Sequence, residues 1–337
     1  MRACLLTTLL LALVVPSAAP AAPFWREHRL HPSEMTLVPS FVRGVEPSIV
    51  GLNVRVPPGR PSATNLGTQR FASAIIFDAR GYAVTVSYVL LDAERIEARL
   101  RDGRTVPAKL VGIDLEIGLG VVQLEGRDPW PAARLGDSQS VLEGAPTATV
   151  GVDEDNDLIA LATEVKTIKR FAASWEYMLP RAFFVAPGSP AFGGSAVLNA
   201  QGEVVGIASL RLGREPEQNL AIPMEQFVPG KDDLISLGRV SRPSRPWLGL
   251  YTAMAHGGIL VTGFSPHGPA GPAGFRQNDQ ILEVNGAPVG SQEEFYARLW
   301  EGRAGDPVTV GIRRRNVAQT ITVKSMDRYA VFRTTSR

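Results

Sequence analysis

Residues 72–91 read ASAIIFDARGYAVTVSYVLL. Ala72 to Phe77 is a short apolar run, Asp78-Ala79-Arg80-Gly81 is a turn, and Tyr82 to Leu91 resumes the apolar run. Two such runs joined by a few turn residues read as consecutive short strands. The pattern repeats outward. Ser48 to Val56 alternates before it; Arg95 to Leu100, the Asp102-Gly103 turn and Thr105 to Val111 follow it. Gly118 to Leu124, Thr147 to Val152, Leu158 to Thr167, Arg181 to Val185, Ala196 to Leu198 and Glu203 to Leu210 continue the series. Short strands closed by turns, with little helical period, predict a β-barrel or sandwich pair over residues 46–228.

Composition agrees with a β-rich chain of two or three domains. The 337 residues include 33 Gly and 26 Pro, which suit many turns between short elements. Lys plus Arg at 35 against Asp plus Glu at 33 leaves a net charge of +2, which argues against a nucleic-acid-binding face. One cysteine, Cys4, and four histidines, His28, His31, His256 and His267, are too few for a Cys/His zinc cluster. An all-carboxylate metal site is not excluded by counting. No metal and no cofactor is expected.

Residues 1–22, MRACLLTTLLLALVVPSAAPAA, carry one positive charge, an apolar run from Cys4 to Val15, then small residues and prolines. This is the order of a secretory signal peptide, with Ala19-Pro20-Ala21 as an A-x-A cleavage site and residues 1–21 removed. The apolar run spans only about 18 Å as a helix, short of a ~30 Å hydrocarbon core, which disfavours a retained anchor. A secreted or periplasmic location follows, with no stable membrane span after signal removal. Residues 22–45 form a lead segment. Its Phe24 and Trp25 either dock on another subunit or cover the chain's own core.

Val228-Pro229-Gly230 and Ser241-Arg242-Pro243-Ser244-Arg245-Pro246 mark a linker over residues 229–246, with Lys231 to Leu237 helical inside it. A smaller unit occupies 247–326. It has strand-like runs at Gly258 to Phe264, Gln280 to Val284, Val308 to Arg313 and Gln319 to Val323, and one helix, Ser291 to Trp300, opened by a Ser-x-x-Glu capping box. Residues 327–337 read as a polar tail.

The order of segments resembles the HtrA-type trypsin-like serine proteases. Gly81-Tyr82-Ala83-Val84-Thr85, Leu135-Gly136-Asp137-Ser138, Gly193-Gly194, Gly202-Glu203-Val204-Val205-Gly206-Ile207 and Ala221-Ile222-Pro223 carry the resemblance in order and spacing. Arg245-Pro246-Trp247-Leu248-Gly249-Leu250, Asn278-Asp279-Gln280-Ile281-Leu282 and Val284-Asn285-Gly286 resemble a bacterial PDZ domain. The fold it implies is mainly β: a chymotrypsin-like double six-stranded β-barrel followed by a PDZ domain.

The resemblance breaks at the catalytic positions. The family's histidine context reads Ser87-Tyr88-Val89-Leu90 here, its aspartate motif reads Gly118-Leu119-Gly120-Val121, and its nucleophile motif reads Pro190-Ala191-Phe192-Gly193-Gly194-Ser195. Tyr88, Gly118 and Phe192 therefore stand at the triad positions. No histidine lies between residues 32 and 255, so no register shift supplies one. Tyr88 and Phe192 are expected to pack together as an apolar plug.

The expectation is a chain that is not an enzyme, with no catalytic residues: an exported pseudoprotease whose degenerate protease scaffold and PDZ domain bind proteins or peptides in envelope protein quality control. The alternative is an active serine endopeptidase with a rearranged centre using Ser189 or Ser195. For a Ser-Lys dyad, the barrel region offers Lys109, Lys166 and Lys169, each of which reads as a solvated surface residue. The expected peptide-binding residues are Trp247, Leu248, Gly249 and Leu250, whose backbone N–H groups would meet a terminal carboxylate, with Phe295 and Leu299 lining the groove from the helix. Expected partners are protein C-termini or unfolded polypeptides and active HtrA-type proteases, with a homotrimer implied by the resemblance.

Overall fold

A computed structural model describes residues 42–126, 129–213, 217–255 and 257–336. The expected signal segment, Phe24, Trp25, His28, His31 and His256 lie outside the described residues. Two closed antiparallel barrels of six strands come first. In one, β1 (Ile49–Arg55), β2 (Gln69–Ile76), β3 (Tyr82–Val86), β4 (Arg95–Arg99), β5 (Thr105–Asp114) and β6 (Leu119–Leu124) run in the order β1-β2-β3-β6-β5-β4, with β4 paired back on β1. In the other, β7 (Pro146–Val152), β8 (Leu158–Ala173), β9 (Tyr177–Ala186), β10 (Ala196–Leu198), β11 (Val204–Leu212) and β12 (Gln218–Pro223) run β10-β11-β12-β9-β8-β7, with β7 paired on β10. Closure leaves neither sheet an open edge.

The hairpin of residues 72–91 is β2 and β3, with Ile75 opposite Val84. Every residue of β3 except Tyr82 is buried, because one face lines the barrel and the other is covered. The strand ends at Val86, well before Leu91, and Ser87–Leu90 makes one helical turn. Tertiary capture of backbone groups explains the difference. The Ser87 N–H donates to the Gly118 carbonyl at 2.8 Å. The Arg70 guanidinium donates to the carbonyls of Tyr88 and Leu91, both at 2.9 Å. Such partners override the strand preference of Val89 and Leu90.

Strands β8 and β9 are much longer than the alternating runs Leu158 to Thr167 and Arg181 to Val185. Their hairpin continues until Ala173 faces Tyr177, leaving residues 174–176 as its tip. That extension reads IKRFAA on one arm and YMLP on the other, with no sustained alternation, so its sequence gives little strand signal.

The linker contains the expected helix, Lys231–Leu237. Its later arginines bind the first barrel: Arg242 pairs with Asp114 and, at 2.9 Å, with Glu116, and Arg245 meets Glu116 at 3.0 Å. Beyond it, β13 (Pro246–Trp247) pairs with β20 (Met326–Asp327). A sheet of β14 (Leu250–Ala255), β15 (Gly258–Phe264), β16 (Gln280–Val284), β18 (Pro307–Arg314) and β19 (Val317–Lys324), with β17 (Ala287–Pro288) on β16, packs against the helix Gln292–Leu299. Ser291 caps that helix through its Oγ, which accepts from the Glu294 N–H at 3.1 Å. The Glu294 carboxylate accepts from Gly290 instead of completing the reciprocal bond to Ser291. Residues 327–336 are not a free tail. The Asp92 N–H donates to the Arg333 carbonyl at 2.9 Å, the Ser336 N–H to the Leu110 carbonyl at 3.0 Å, and the Tyr329 hydroxyl accepts from Leu115.

Candidate functional site

Tyr88, Gly118 and the 189–195 loop lie close together: the Ser87 N–H donates to the Gly118 carbonyl, and a Cβ built at Gly193 would lie 3.2 Å from the Tyr88 hydroxyl. Tyr88 rides on the helical turn held by Arg70, and its phenol donates to the Ser209 carbonyl at 3.0 Å. Burial raises its pKa. Gly118 has φ +80°, and a Cβ built there would lie 2.8 Å from the Tyr177 hydroxyl. That hydroxyl donates to the neighbouring Ile117 carbonyl at 2.7 Å, so Tyr177 fills the space beside Gly118.

Phe192 packs against the second barrel's Val141, Val165 and Phe183 cluster. The expected Tyr88–Phe192 pair is therefore corrected. A buried phenol goes where its O–H finds an acceptor, here at Ser209 beside Gly193, while the phenyl ring takes an apolar site.

The two serines differ. Ser195 is fully buried and its hydroxyl donates to the Ala191 carbonyl. Ser189 is also buried; its N–H donates to the Asn219 side-chain oxygen at 2.6 Å, and its hydroxyl has no hydrogen-bond partner among the described residues. The Gly194 N–H is taken by the Ala208 carbonyl, and Pro190 has no N–H. Lys109 and Lys166 are ion-paired with Glu125 and Glu164 at 2.7 and 2.8 Å, and the Lys169 ammonium lies over the Phe184 ring.

The second site is the end of the PDZ domain where Trp247-Leu248-Gly249-Leu250 turns into β14. Gly249 has φ +76°, and a Cβ there would lie 2.9 Å from the Gly268 backbone, so only glycine fits. This turn aims the N–H groups of Leu248 and Leu250 at one point. Both donate to the carboxylate of Glu176, at 2.9 and 2.6 Å, from the tip of the β8–β9 hairpin. Next along the groove, the Thr252 N–H donates to the Ser174 carbonyl at 2.9 Å. From the helix, the Tyr296 hydroxyl donates to the Ala173 carbonyl at 2.6 Å and accepts from the Glu176 N–H at 3.2 Å. Burial pushes the Glu176 carboxyl up to about 7, opposed by the backbone donors of this loop and the charge of Arg328.

Trp247, Leu248, Gly249 and Leu250 lie together at this turn, and the Leu248 and Leu250 N–H groups donate to Glu176. Phe295 and Leu299 are corrected. Both are buried in the PDZ core with Ile259 and Val310, and the helix reaches the hairpin through Tyr296 instead. The spacing of two apolar residues at i and i+4 marks a buried stripe, and the core claims it. Tyr296, the missed residue, carries a hydroxyl that three groups use. Glu176 had one local signal, a non-glycine residue closing a three-residue hairpin loop at φ +53°, a position that favours glycine.

Residues 72–207 match the trypsin-like peptidase domain family, and residues 246–325 match the PDZ domain family. The chain is 24% identical over 291 residues to a Do-like serine protease HtrA of Lactobacillus helveticus, covering 77% of this chain and 69% of the relative. It is 30% identical over 286 residues to a DegP-like periplasmic serine endoprotease of Marinomonas sp., covering 80% of this chain and 58% of the relative, so it spans little more than half of that protein. In fold it matches a structure of the HtrA-type protease AlgW with a decapeptide at TM-score 0.55 and 23% identity, over 86% of this chain and 98% of the other. A serine endoprotease from Yersinia pestis matches at TM-score 0.54 and 24% identity, over 85% and 96%. No helix among the described residues is long and apolar enough to cross a membrane. The expectation of a non-enzyme is corrected by these relatives, which are named as serine proteases and serine endoproteases. With a trypsin-like peptidase domain followed by a PDZ domain, the chain is similar to the HtrA-type serine proteases.

Proposed function

We infer that this chain is an exported HtrA-type protein that captures polypeptide C-termini or unfolded segments in its PDZ groove, as part of protein quality control in the cell envelope. One observation carries the reading: the Leu248 and Leu250 N–H groups converge on a carboxylate, while the neighbouring Thr252 N–H donates to a backbone carbonyl, that of Ser174. That arrangement suits a terminal carboxylate followed by a strand added to β14. The DegP-like relatives are named as periplasmic, which supports export.

A second reading is peptide hydrolysis at a rearranged centre. The names of the relatives favour it, and so does the unpartnered, buried hydroxyl of Ser189. Hydrolysis here has to run without a Ser-His-Asp triad at positions 88, 118 and 192, because Gly118 offers no carboxylate and Phe192 no hydroxyl. Incubation of the full chain with unfolded casein, beside Ser189→Ala and Ser195→Ala, tests this. Cleavage abolished by Ser189→Ala and retained in Ser195→Ala is the expected result for that centre. Cleavage equal in all three chains, or in none of them, removes it. Binding of free-carboxylate peptides, lost when the peptide is amidated, tests the capture reading separately.

A further inference from the structure

Charge is unevenly spread over the PDZ domain. Residues 272–280 and 311–319 together hold four arginines and a single acid, Asp279. We propose that this end of the PDZ sheet docks the chain on an anionic membrane surface, with Arg276, Arg313 and Arg315 meeting lipid phosphates and Val317 entering the layer beneath them. The inference rests on the export reading above and adds the surface that an exported chain meets.

The two segments form one face. Arg313 stands opposite Gln280 in the β16–β18 ladder, and its guanidinium donates to the Gln280 side-chain oxygen at 3.1 Å. Arg314 reaches the neighbouring loop, donating to the Gly274 carbonyl at 2.8 Å and to both carboxylate oxygens of Asp279 at 2.7 Å. Asp279 is buried and its charge is spent on that pair. Arg276, Arg313 and Arg315 are exposed, and none of them has an acid within ion-pair distance among the described residues. Elsewhere exposed arginines do have acidic neighbours: Arg80 pairs with Asp78, Arg95 with Glu97 and Arg104 with Asp102, each at 2.7 Å. Three uncompensated charges on one face give a positive field that reaches about 10 Å into solvent.

The shape fits a lipid surface better than an acidic protein. Arg315 and Asn316, at φ +50° and +65°, form the two-residue turn that joins β18 to β19, so the sheet ends here in a narrow tip. Val317, just past the turn, is 57% exposed. An acidic polypeptide would use the arginines and leave Val317 in water. A lipid surface takes the cations at its headgroups and the apolar side chain below them. The turn that holds a carboxylate lies at the opposite end of the sheet, where β14 begins with Leu250 opposite Phe264, whereas Leu260, Gln280 and Arg313 stand side by side near the tip. Docking at the tip therefore leaves that turn uncovered.

The test uses the chain from residue 22, as the expected signal cleavage would leave it, because the apolar run from Cys4 to Val15 would itself enter a bilayer. It is co-sedimented with vesicles of phosphatidylcholine containing phosphatidylglycerol and with vesicles of phosphatidylcholine alone. Binding to the anionic vesicles, lost on raising the salt and absent with the neutral ones, is the expected result. Arg276→Gln, Arg313→Gln and Arg315→Gln each weaken it about fivefold, and the triple variant about a hundredfold. Val317→Ser weakens it by a smaller factor, while Arg95→Gln, on the first barrel, leaves it unchanged. All these positions are exposed, and an unchanged melting temperature shows that the variants fold. Anionic vesicles bound equally by the parent and the triple variant, or by neither, overturn the docking face. Binding of polyglutamate and not of vesicles overturns it in favour of an acidic polypeptide. Export is read separately, by fractionating cells that make the full chain: protein found only in the cytoplasm overturns export, whereas failed vesicle binding overturns the docking face with export intact.

Discussion

The cleft between the barrels and the groove of the PDZ domain are both filled by the chain's own residues, and the filling differs in kind. In the cleft, Tyr177 lies against Gly118 and Phe192 lies in an apolar cluster, so the occupants are parts of the core. In the groove, one side-chain carboxylate sits on two backbone donors, held by hydrogen bonds that another carboxylate would make equally well. Core packing has no outside equivalent and is not exchanged for solvent ligands. A carboxylate on amides has many equivalents, and the competition is decided by strain and charge. The same hairpin supplies Glu176 to one site and Tyr177 to the other, so the two fillings are joined by a single peptide bond.

The comparison breaks most sharply if the cleft can be reopened. Gly118→Asp puts a carboxylate beside Tyr177, yet its Cβ would lie 2.8 Å from the Tyr177 hydroxyl and 3.1 Å from its ring. Tyr177 is a buried core residue and cannot swing aside freely. The substitution is expected to cost about 3 kcal/mol and to lower the melting temperature of the barrels by about 6 °C or more in calorimetry. A chain that accepts the aspartate with unchanged melting would show the cleft filling to be as exchangeable as the groove's.

A smaller effect comes from pH. The Glu176 carboxyl is raised by burial to about 7, with the Arg328 guanidinium, the loop amides and the Tyr296 hydroxyl around it. A carboxyl raised in the folded state binds protons there that the unfolded chain has already lost. Its contribution to stability is therefore fully present below the ordinary glutamate range, about 4.3, and is lost as pH rises through about 7. Denaturant melts from pH 4.5 to 8 are expected to show the parent chain losing stability across this window, whereas Glu176→Gln loses less. In the cleft no such window is expected from Tyr88, since burial pushes its phenol upward, away from neutrality. Parallel pH profiles for parent and Glu176→Gln would mean that the carboxylate is not the element holding the groove.

Legibility in the sequence follows the same division. The β2–β3 hairpin and the Ser291-capped helix were readable because each is specified within about a dozen neighbouring residues, by turn chemistry, apolar period or a cap. The contacts that fill the two sites join residues distant in sequence: Glu176 with Leu248 and Leu250, and Tyr177 with Ile117. Nothing in the composition of residues 168–180 announces a partner at Leu248. The identities of Tyr88, Gly118 and Phe192 were visible in the sequence, but what packs around them was not. The pairing of Tyr88 with Phe192 failed because two aromatic residues near one motif say nothing of where a phenol finds its acceptor. Phe295 and Leu299 failed for a related reason, since an apolar stripe marks the buried side of a helix and not the side a peptide meets.

The smallest expected effect isolates the helix from its neighbour in the groove. Ser291 accepts from the Glu294 N–H and so satisfies one of the four open donors of the helix that carries Tyr296. Ser291→Ala removes that acceptor, and the expected cost is about 1 kcal/mol. The Gly290 N–H still donates to the Glu294 carboxylate, so the first turn keeps part of its constraint. Since Tyr296 lies on the next turn and holds both Ala173 and Glu176, fraying confined to residues 292–294 leaves the hairpin docked. Urea melts should register the loss while hydrogen exchange at Leu248 and Leu250 stays at the parent rate. Faster exchange at those two amides in Ser291→Ala would mean that the hairpin's hold depends on the whole helix, and that the groove's filling is as deeply embedded in its core as the cleft's.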